Sequence, residues 1–208
     1  MRRRIVVAIS GASGVVYGIR SLEVLHSAGD IETHLVLTEA ARLTITQETD
    51  WRVSDVEGLA DYAYASNDMA AAIASGSFET LGMIVAPCSI RCLSAIATGV
   101  TSDLLTRAAD VVLKERRRLI LMVRETPLHA GHLRAMAQVS ELGAIVAPPV
   151  PAFYTRPTTL DDVIDHTVGR MLDLFGIDTG AVKRWGERSG VRRLPVGRTR
   201  PRGSGSPS

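Results

Sequence analysis

The 208-residue chain contains few cysteines, few aromatic residues and no long hydrophobic run. Cys88 and Cys92 are four positions apart, which is not C-x-x-C spacing, and no further Cys or His pair completes a zinc site. We expect both to be reduced thiols of the core or of a pocket edge, because disulfides are rare in reducing compartments. No apolar run approaches the roughly 18 residues of a membrane span. Residues 5–9 are too short for a signal-peptide core, so we expect a cytoplasmic protein without a membrane partner.

Acidic residues are missing from both ends of the chain. Residues 2–4 are three arginines, and residues 189–208 hold five arginines, no Asp or Glu, and a Gly-, Pro- and Ser-rich end. The whole chain carries a net charge of +2, so residues 5–188 carry −6. The basic pI is therefore no argument for nucleic-acid binding. We predict one domain over residues 1–188 and a disordered basic tail over 189–208.

The stretch at residues 5–18, IVVAISGASGVVYG, organises the rest of the chain. A short apolar run leads into a Gly-Ala-Ser-Gly turn, and an amphipathic segment follows, which is the pattern of a buried strand, a tight turn and a helix. Glycines allow a ligand to approach the backbone, and a helix N-terminus offers N–H groups to an anion. Ser10 and Ser13 add hydroxyl groups. A purely structural turn is the alternative.

Similar units follow along the chain. Strands are predicted at residues 5–9, 32–37, 81–86, 119–123 and 143–147, and helices after Gly14 and at 40–48, 89–98, 103–117, 129–141 and 161–175. Residues 51–66 show little period, and the small residues of 70–78 allow close packing or a loop beside a ligand. The alternation predicts a three-layer α/β/α sandwich with a parallel, Rossmann-like (flavodoxin-like) sheet.

Polar residues follow several predicted strands, where open parallel sheets collect ligands. Two interpretations of Thr38 stay open, since it either faces a ligand or caps a helix. Arg124 and Glu125 either take part in the reaction or form a structural ion pair. The proline-bracketed loop 151–157 holds Phe153, Tyr154 and Arg156. The last helix has an apolar stripe, which we predict to be Leu160, Val163, Ile164, Val168, Met171, Leu172 and Phe175, and Gly176 is its expected C-cap. Trp185 stands in a polar segment and is expected at an interface.

These stretches together resemble the flavin prenyltransferase family, the UbiX-like and phenylacrylic-acid-decarboxylase-like flavoproteins. The motifs are SGASG at 10–14, ETD at 48–50, ASGSF at 74–78, GMIVAPCS at 82–89, RAADVVLKERR at 107–117, RETPL at 124–128 and PPVPAFYTRP at 148–157. They span roughly residues 5–186 in order. The segment at 165–184 looks most like the branch associated with non-oxidative hydroxyarylic acid decarboxylases.

The resemblance implies an activity and a set of partners. Such enzymes join the dimethylallyl group of dimethylallyl monophosphate or diphosphate to reduced FMN at N5 and C6, without a metal. The product, prenylated FMN, serves a separate UbiD-type aromatic acid decarboxylase. Family members are dodecamers with sites between subunits, so we expect a homo-oligomer. The sequence does not identify the decarboxylase or its acid.

The resemblance also assigns residues. It implies an FMN site at Gly11, Ala12, Ser13, Thr38, the turn Ser89, Ile90, Arg91 and Cys92, and Arg124. It implies that the prenyl phosphate meets Lys114, Tyr154 and Arg170, with Glu48 and Arg124 close by. Ser13, Glu48, Lys114 and Glu125 are the implied catalytic residues, Ser13 and Glu125 by assisting proton movement.

The chain departs from the family pattern at several positions. Ser-Ile-Arg-Cys at 89–92 replaces the usual Ser-Met-Lys-Thr, so a hydroxyl becomes a thiol, a poor donor to phosphate. Ser102-Asp103 replaces Asp-Asn or Asn-Asn, and Ala135 stands where Asn is common. Two alternatives stay open: an FMN-dependent decarboxylase of peptidyl or pantothenoyl cysteine, and a flavin-binding accessory protein without chemistry. The first needs a catalytic His and an Asn-rich PASANT-like loop, which are not evident, and the second is disfavoured by Lys114, Glu125, Tyr154 and Arg170.

Overall fold

A computed structural model describes residues 2–180 and Val182 of the chain. A parallel sheet forms its middle layer, with strands β1 (Arg3–Ile9), β2 (Ile31–Leu37), β3 (Tyr62–Tyr64), β4 (Gly82–Cys88), β5 (Arg118–Val123) and β6 (Ile145–Val146). The helices are α1 (Val16–Ala28), α2 (Glu39–Glu48), α3 (Val53–Glu57), α4 (Ile90–Thr98), α5 (Leu104–Lys114), α6 (Ala130–Glu141) and α7 (Leu160–Asp173).

Side chains of β1 alternate between the two faces of the sheet, and each face has its own core. Ile5, Val7 and Ile9 pack with α1, α2, α3 and α7, whereas Val6 and Ala8 pack with α4, α5 and α6. Strand β4 is buried along its whole length, as is typical of a central parallel strand. The three-layer α/β/α prediction is therefore confirmed.

The strand order is β3-β2-β1-β4-β5-β6. Without the short edge strand β3, this is the flavodoxin order, and with it the order is that of a doubly wound Rossmann sheet. The chain reverses its direction of winding between β1 and β4. In such sheets, ligands bind in the crevice outside the carboxyl ends of the strands at this switch point.

The sequence prediction missed two elements in the polar segment 51–66. Helix α3 is a five-residue helix, and β3 is an edge strand of three residues whose apolar content comes from tyrosines. Neither is long enough to show a period. β3 is held instead by His34, whose ring stacks on Tyr62 and bonds to the Tyr64 hydroxyl.

Some predicted boundaries and one predicted core residue are wrong. β6 is only Ile145–Val146, and α5 ends at Lys114, after which Arg116 takes a left-handed conformation with φ of 56°. Leu160 is 75% exposed because it is the first residue of α7, ahead of the buried stripe. The C-cap of α7 is Leu174 rather than the predicted Gly176, which lies two residues further on with φ of 70° and donates to Asp173 O.

Two predictions concern residues that the structure does not describe. Trp185 and the tail at 189–208 lie outside the described residues. Within residues 2–180, no helix is both long and apolar enough to cross a membrane.

Candidate functional site

Four neighbouring strands end in predicted site residues, and main-chain hydrogen bonds join the strand ends in sequence. Thr38 N donates to Ile9 O over 3.2 Å, Ser10 N to Pro87 O over 3.2 Å, and Arg124 N to Cys88 O over 3.0 Å. The ends of β2, β1, β4 and β5 therefore form one continuous edge. This edge brings together Gly11, Ala12, Ser13, Thr38, the turn at 89–92, Arg124 and Glu125.

Three helices begin at this edge. Thr38 caps α2 by accepting from Ala41 N, Ser89 caps α4 by accepting from Cys92 N, and Asp103 caps α5 by accepting from Thr106 N. The two interpretations of Thr38 are compatible, since a capping residue also lies at the rim of the cavity described next. Each helix start adds partial positive charge and backbone N–H groups, which favour an anion.

A cavity of about 400 Å³ lies between these helix starts. Its lining includes Ser10, Gly11, Thr38, Ser66, Ser89, Arg91, Cys92, Ser102, Asp103 and Thr106. Arg91 supplies a cation to the lining, while Ile90 packs against the core and does not line the cavity. The cavity therefore combines a cation, hydroxyl and N–H donors suited to a phosphate and a polyol chain with two carboxylates, Glu39 and Asp103, of which Asp103 is engaged in capping α5.

Close packing, rather than a ligand, explains the first glycine of the GASG turn. A Cβ at Gly11 would lie 2.3 Å from the Cβ of Ala40, so the turn and α2 could not pack with any larger residue. At the other end of the turn, Gly14 N donates to the Glu48 carboxylate over 2.8 Å. Glu48 therefore fixes the turn that carries the exposed Ser13, and the Ser10 hydroxyl is used structurally, donating to Pro87 O over 2.8 Å.

Cys92 is a neutral thiol at the cavity wall. Its hydrogen bond with Cys88, together with burial, raises the pKa of the Cys92 thiol well above the usual range. Both cysteines are free and buried, as predicted. Because the thiol carries no negative charge, it does not repel an anion, although it is a weaker donor than a threonine hydroxyl.

Arg124 and Glu125 do not pair with each other. No ion pair joins either side chain to another described residue, and Glu125 instead accepts the backbone N–H of Thr126 over 3.0 Å. Both side chains are exposed at the end of β5. The alternative of a structural salt bridge is therefore wrong, and both groups are available to a ligand.

Lys114 lies at the other edge of the sheet. It is the last residue of α5, just before β5 begins, and it forms an ion pair with Glu115.

The loop 74–78 packs against the same edge of the sheet, because Arg117 donates to Gly76 O and to Phe78 O, each over 2.7 Å. This loop thus serves close packing. A second cavity, of about 560 Å³, opens between α4, α5 and α6 and is lined by Lys114 and Arg116.

Arg170 also lies away from the carboxyl edge. Arg20 in α1 forms ion pairs with Asp161 and Asp165 at the start of α7, and the end of α1 lines a cavity with residues 177–179 after α7, so the two helices run in the same direction. Arg170 is in the last turn of α7 and pairs with Asp173 over 2.8 Å. Tyr154 is in a 3₁₀ turn (Phe153–Thr155) after β6, with its hydroxyl 3.3 Å from His166 Nε2.

Sequence reasoning missed Ser66 and Thr106 as cavity residues, and His166 as the partner of Tyr154. Ser66 follows the unrecognised strand β3, and its carbonyl accepts from Leu104 N over 2.8 Å. Recognising β3 would have placed Ser66 at the carboxyl edge with the other strand ends. His166 has no local signal, because its partner comes from a loop 12 residues earlier.

A parallel doubly wound sheet with a cavity at its switch point is an arrangement that nucleotide- and flavin-binding proteins use, and a family model described as Flavoprotein matches residues 1–174. The chain is 60% identical over 175 residues to the flavin prenyltransferase UbiX of Escherichia coli (strain K12), across 84% of this chain and 93% of that relative. The chain belongs to the flavin prenyltransferase family.

Two solved structures are similar over almost their whole length. AnUbiX (PadA1), in complex with FMN and dimethylallyl pyrophosphate, has a TM-score of 0.87 and 54% identity, covering 89% of this chain and 98% of its own. The dodecameric FMN-dependent UbiX-like decarboxylase of Escherichia coli O157:H7 has a TM-score of 0.86 and 45% identity, covering 88% and 98%.

Proposed function

We propose that this flavin prenyltransferase joins the dimethylallyl group of dimethylallyl phosphate to N5 and C6 of reduced FMN, releasing phosphate and forming prenylated FMN. The observation that carries the proposal is the continuous carboxyl edge, where the residues that the family assigns to FMN come together in a chain that is 60% identical to a flavin prenyltransferase. The residues of this edge fit an FMN phosphate and ribityl chain, because helix starts, Arg91 and hydroxyl groups surround one cavity.

The proposed roles follow from charge. FMN supplies the nucleophilic ring atoms and an aromatic face that stabilises an allylic cation. Arg124, together with Lys114 and Arg170, stabilises the departing phosphate, as cationic groups do in phosphoryl chemistry. Glu125, exposed at the end of β5 and lacking an arginine partner within residues 2–180, accepts and returns a proton. Ser13 assists from the GASG turn that Glu48 fixes.

We propose that the complete site forms between copies of this chain. In one copy, Lys114 and Arg170 end helices that run toward the amino edge of the sheet, whereas Arg124 and Glu125 leave the carboxyl edge. One chain therefore does not bring its predicted phosphate ligands together. The similar protein of Escherichia coli O157:H7 is dodecameric, and a dodecamer of this chain would supply Lys114 and Arg170 from neighbouring copies.

The choice of donor and partner belongs to the same proposal. A similar protein was solved with dimethylallyl pyrophosphate, so both the monophosphate and the diphosphate are candidate donors. The receiving partner is a UbiD-type decarboxylase, which uses the prenylated flavin. We place the reaction in the cytoplasm, which is supported by the free thiols of Cys88 and Cys92.

The alternatives have less support. A cysteine decarboxylase of this fold needs an Asn-rich loop where this chain has Pro-Ala-Phe-Tyr at 151–154. An accessory flavin carrier would have no use for the Glu125 carboxylate, which is exposed at the carboxyl edge without an ion-pair partner among the described residues.

Anaerobic incubation with reduced FMN and dimethylallyl monophosphate, followed by mass analysis of the released flavin, tests the proposal. We expect the flavin to gain the mass of one prenyl unit. Bound but unmodified FMN with both donors would contradict the transferase and favour the carrier. Incubation with a cysteine-terminated peptide, monitored for loss of carbon dioxide, tests the remaining alternative in the same preparation.

A further inference from the structure

Tyr154 and His166 form a hydrogen-bonded pair that joins the proline-bracketed loop to α7. The Tyr154 hydroxyl lies 3.3 Å from His166 Nε2, and the two rings meet edge to face, with 5.8 Å between centroids and 87° between planes. The pair connects residues 12 positions apart, so it fixes where the loop after β6 returns toward the helix.

Burial differs sharply between the two partners. His166 is a buried polar residue of α7 with 7% exposure, whereas Tyr154 is 49% exposed. A buried imidazole is costly unless its nitrogens are hydrogen-bonded. His166 is therefore the more firmly held partner, and its hydrogen bond constrains the orientation of the Tyr154 hydroxyl.

The protonation of His166 Nε2 determines which hydrogen bonds the Tyr154 hydroxyl can donate or accept. If Nε2 carries hydrogen, it donates to the phenolic oxygen, and the phenolic hydrogen is directed elsewhere. If Nε2 is bare, it accepts the phenolic hydrogen, and only the lone pairs of the hydroxyl face other groups. A phosphate oxygen can only accept, so it binds Tyr154 only in the first arrangement.

We propose that His166 is a positioning residue that donates from Nε2 to the Tyr154 hydroxyl, so that Tyr154 gives its own hydrogen to the phosphate of the prenyl donor. This inference rests on the proposed function and on the family resemblance, which assigns Tyr154 to the phosphate of the prenyl donor. His166 itself touches neither substrate. Its contribution is to set the direction of one hydrogen bond and to hold the tyrosine ring in place.

Two amide substitutions separate this role from packing. The Gln side chain reaches the position of Nε2 and can donate there, whereas Asn ends near the position of Nδ1 and cannot reach the hydroxyl. We expect His166→Gln to behave like the parent protein and His166→Asn to raise KM for dimethylallyl monophosphate about 3- to 10-fold, with kcat changed less. The inhibition constant of inorganic phosphate should rise by the same factor, and FMN affinity should not change.

Tyr154→Phe completes a double-mutant cycle, and Thr167→Val serves as control. Thr167 lies next to His166, and among the contacts described its hydroxyl donates only to Val163 O of the same helix. Removing this hydroxyl therefore perturbs α7 without changing a contact of Tyr154. We expect His166→Asn to have no further effect on phosphate inhibition once Tyr154 is Phe. Additive effects, or equal KM changes for the Gln and Asn variants, would overturn the proposal.

Calorimetric titration of the FMN-loaded protein with inorganic phosphate separates this result from the proposed function. If the parent protein binds phosphate and loses affinity in His166→Asn but forms no prenylated flavin, the transferase proposal fails and the pair stands. If prenylated flavin forms while phosphate affinity is the same in all variants, the positioning role of His166 is excluded and the transferase proposal stands.

Discussion

At Cys92, this chain has a thiol where the pattern of its family has the hydroxyl of a threonine. The thiol lines the cavity at the start of α4 and is held neutral beside Cys88. A threonine at this position would present a hydroxyl, which is a stronger donor to a phosphate oxygen than a thiol. This single exchange lowers the number of strong donors at the FMN site without adding charge.

Cys92→Thr should therefore tighten FMN binding. Restoring one hydrogen bond to a charged acceptor is expected to lower Kd about 3- to 10-fold, measured by quenching of flavin fluorescence during titration. Cys92→Val is the matched control, since valine has the shape of threonine without its hydroxyl. If valine tightened binding as much as threonine, the effect would come from packing and the explanation would be wrong.

Glu125→Gln should separate flavin binding from catalysis. The amide keeps the size of the side chain but cannot take up a proton, so we expect normal FMN retention and prenylated-flavin formation slowed by about 10²-fold. Single-turnover assays under anaerobic conditions measure the rate. Glu141→Gln, at an exposed position that ends α6, is the control for loss of charge. An unchanged rate in Glu125→Gln would remove this residue from the mechanism.

At the scale of elements, strand β3 depends on one buried histidine of β2. His34 bonds to Glu32 over 3.0 Å and to the Tyr64 hydroxyl over 2.9 Å, and its ring stacks on Tyr62. Burial lowers the pKa of His34 below its ordinary value of 6.5, and the Glu32 carboxylate offsets this only in part. The folded protein therefore keeps His34 neutral at pH values where the unfolded chain is already protonated.

The lowered pKa of His34 determines how the stability of the folded protein changes with pH. Between the lowered pKa of the folded state and about 6.5, the unfolded chain binds more protons, so the free energy of unfolding falls as the pH falls through this window. We expect Tm to decrease from about pH 7.5 to 5.5 and to decrease less in His34→Gln. His26→Gln, at an exposed site in α1, is the control. An equal slope in both variants and the parent would exclude His34 as the cause.

How much of the fold can be predicted from sequence depends on the length of the element. The buried strands and amphipathic helices are long enough to show their period, so the layers and the parallel sheet were predictable. β3 was not, because three residues carry no period and its partner His34 is distant in sequence. The carboxyl-edge residues were predictable from their place after strands. The Tyr154–His166 contact was not, because a loop, not an element, sets it.

At the scale of the whole molecule, the separation of Lys114 from Glu125 makes a test of assembly possible. If each site takes these residues from different copies, co-expressed Lys114→Ala and Glu125→Gln chains form some sites in which both are native. Random mixing of two chains predicts recovery of about one quarter of the parent activity. Each variant expressed alone should have little activity, and assays of the purified mixed oligomer measure the recovery.

The control for this experiment mixes the two homogeneous proteins after purification, when subunits no longer exchange. That mixture should stay as inactive as its components. Co-expressed chains that form mixed oligomers but recover no activity would mean that Lys114 and Glu125 act within the same copy, contrary to the composite site.

Three of the bonds that join the strand ends use main-chain atoms alone, from Thr38 N to Ile9 O, Ser10 N to Pro87 O and Arg124 N to Cys88 O. Side chains such as Ser13 and Arg91 can therefore be exchanged while the frame that presents them persists. Substitutions at these side-chain positions therefore leave the main-chain frame intact, whether they arise in evolution or by engineering. The specificity for the acceptor and donor molecules can thus change by single substitutions, without a change in the sheet that carries these side chains.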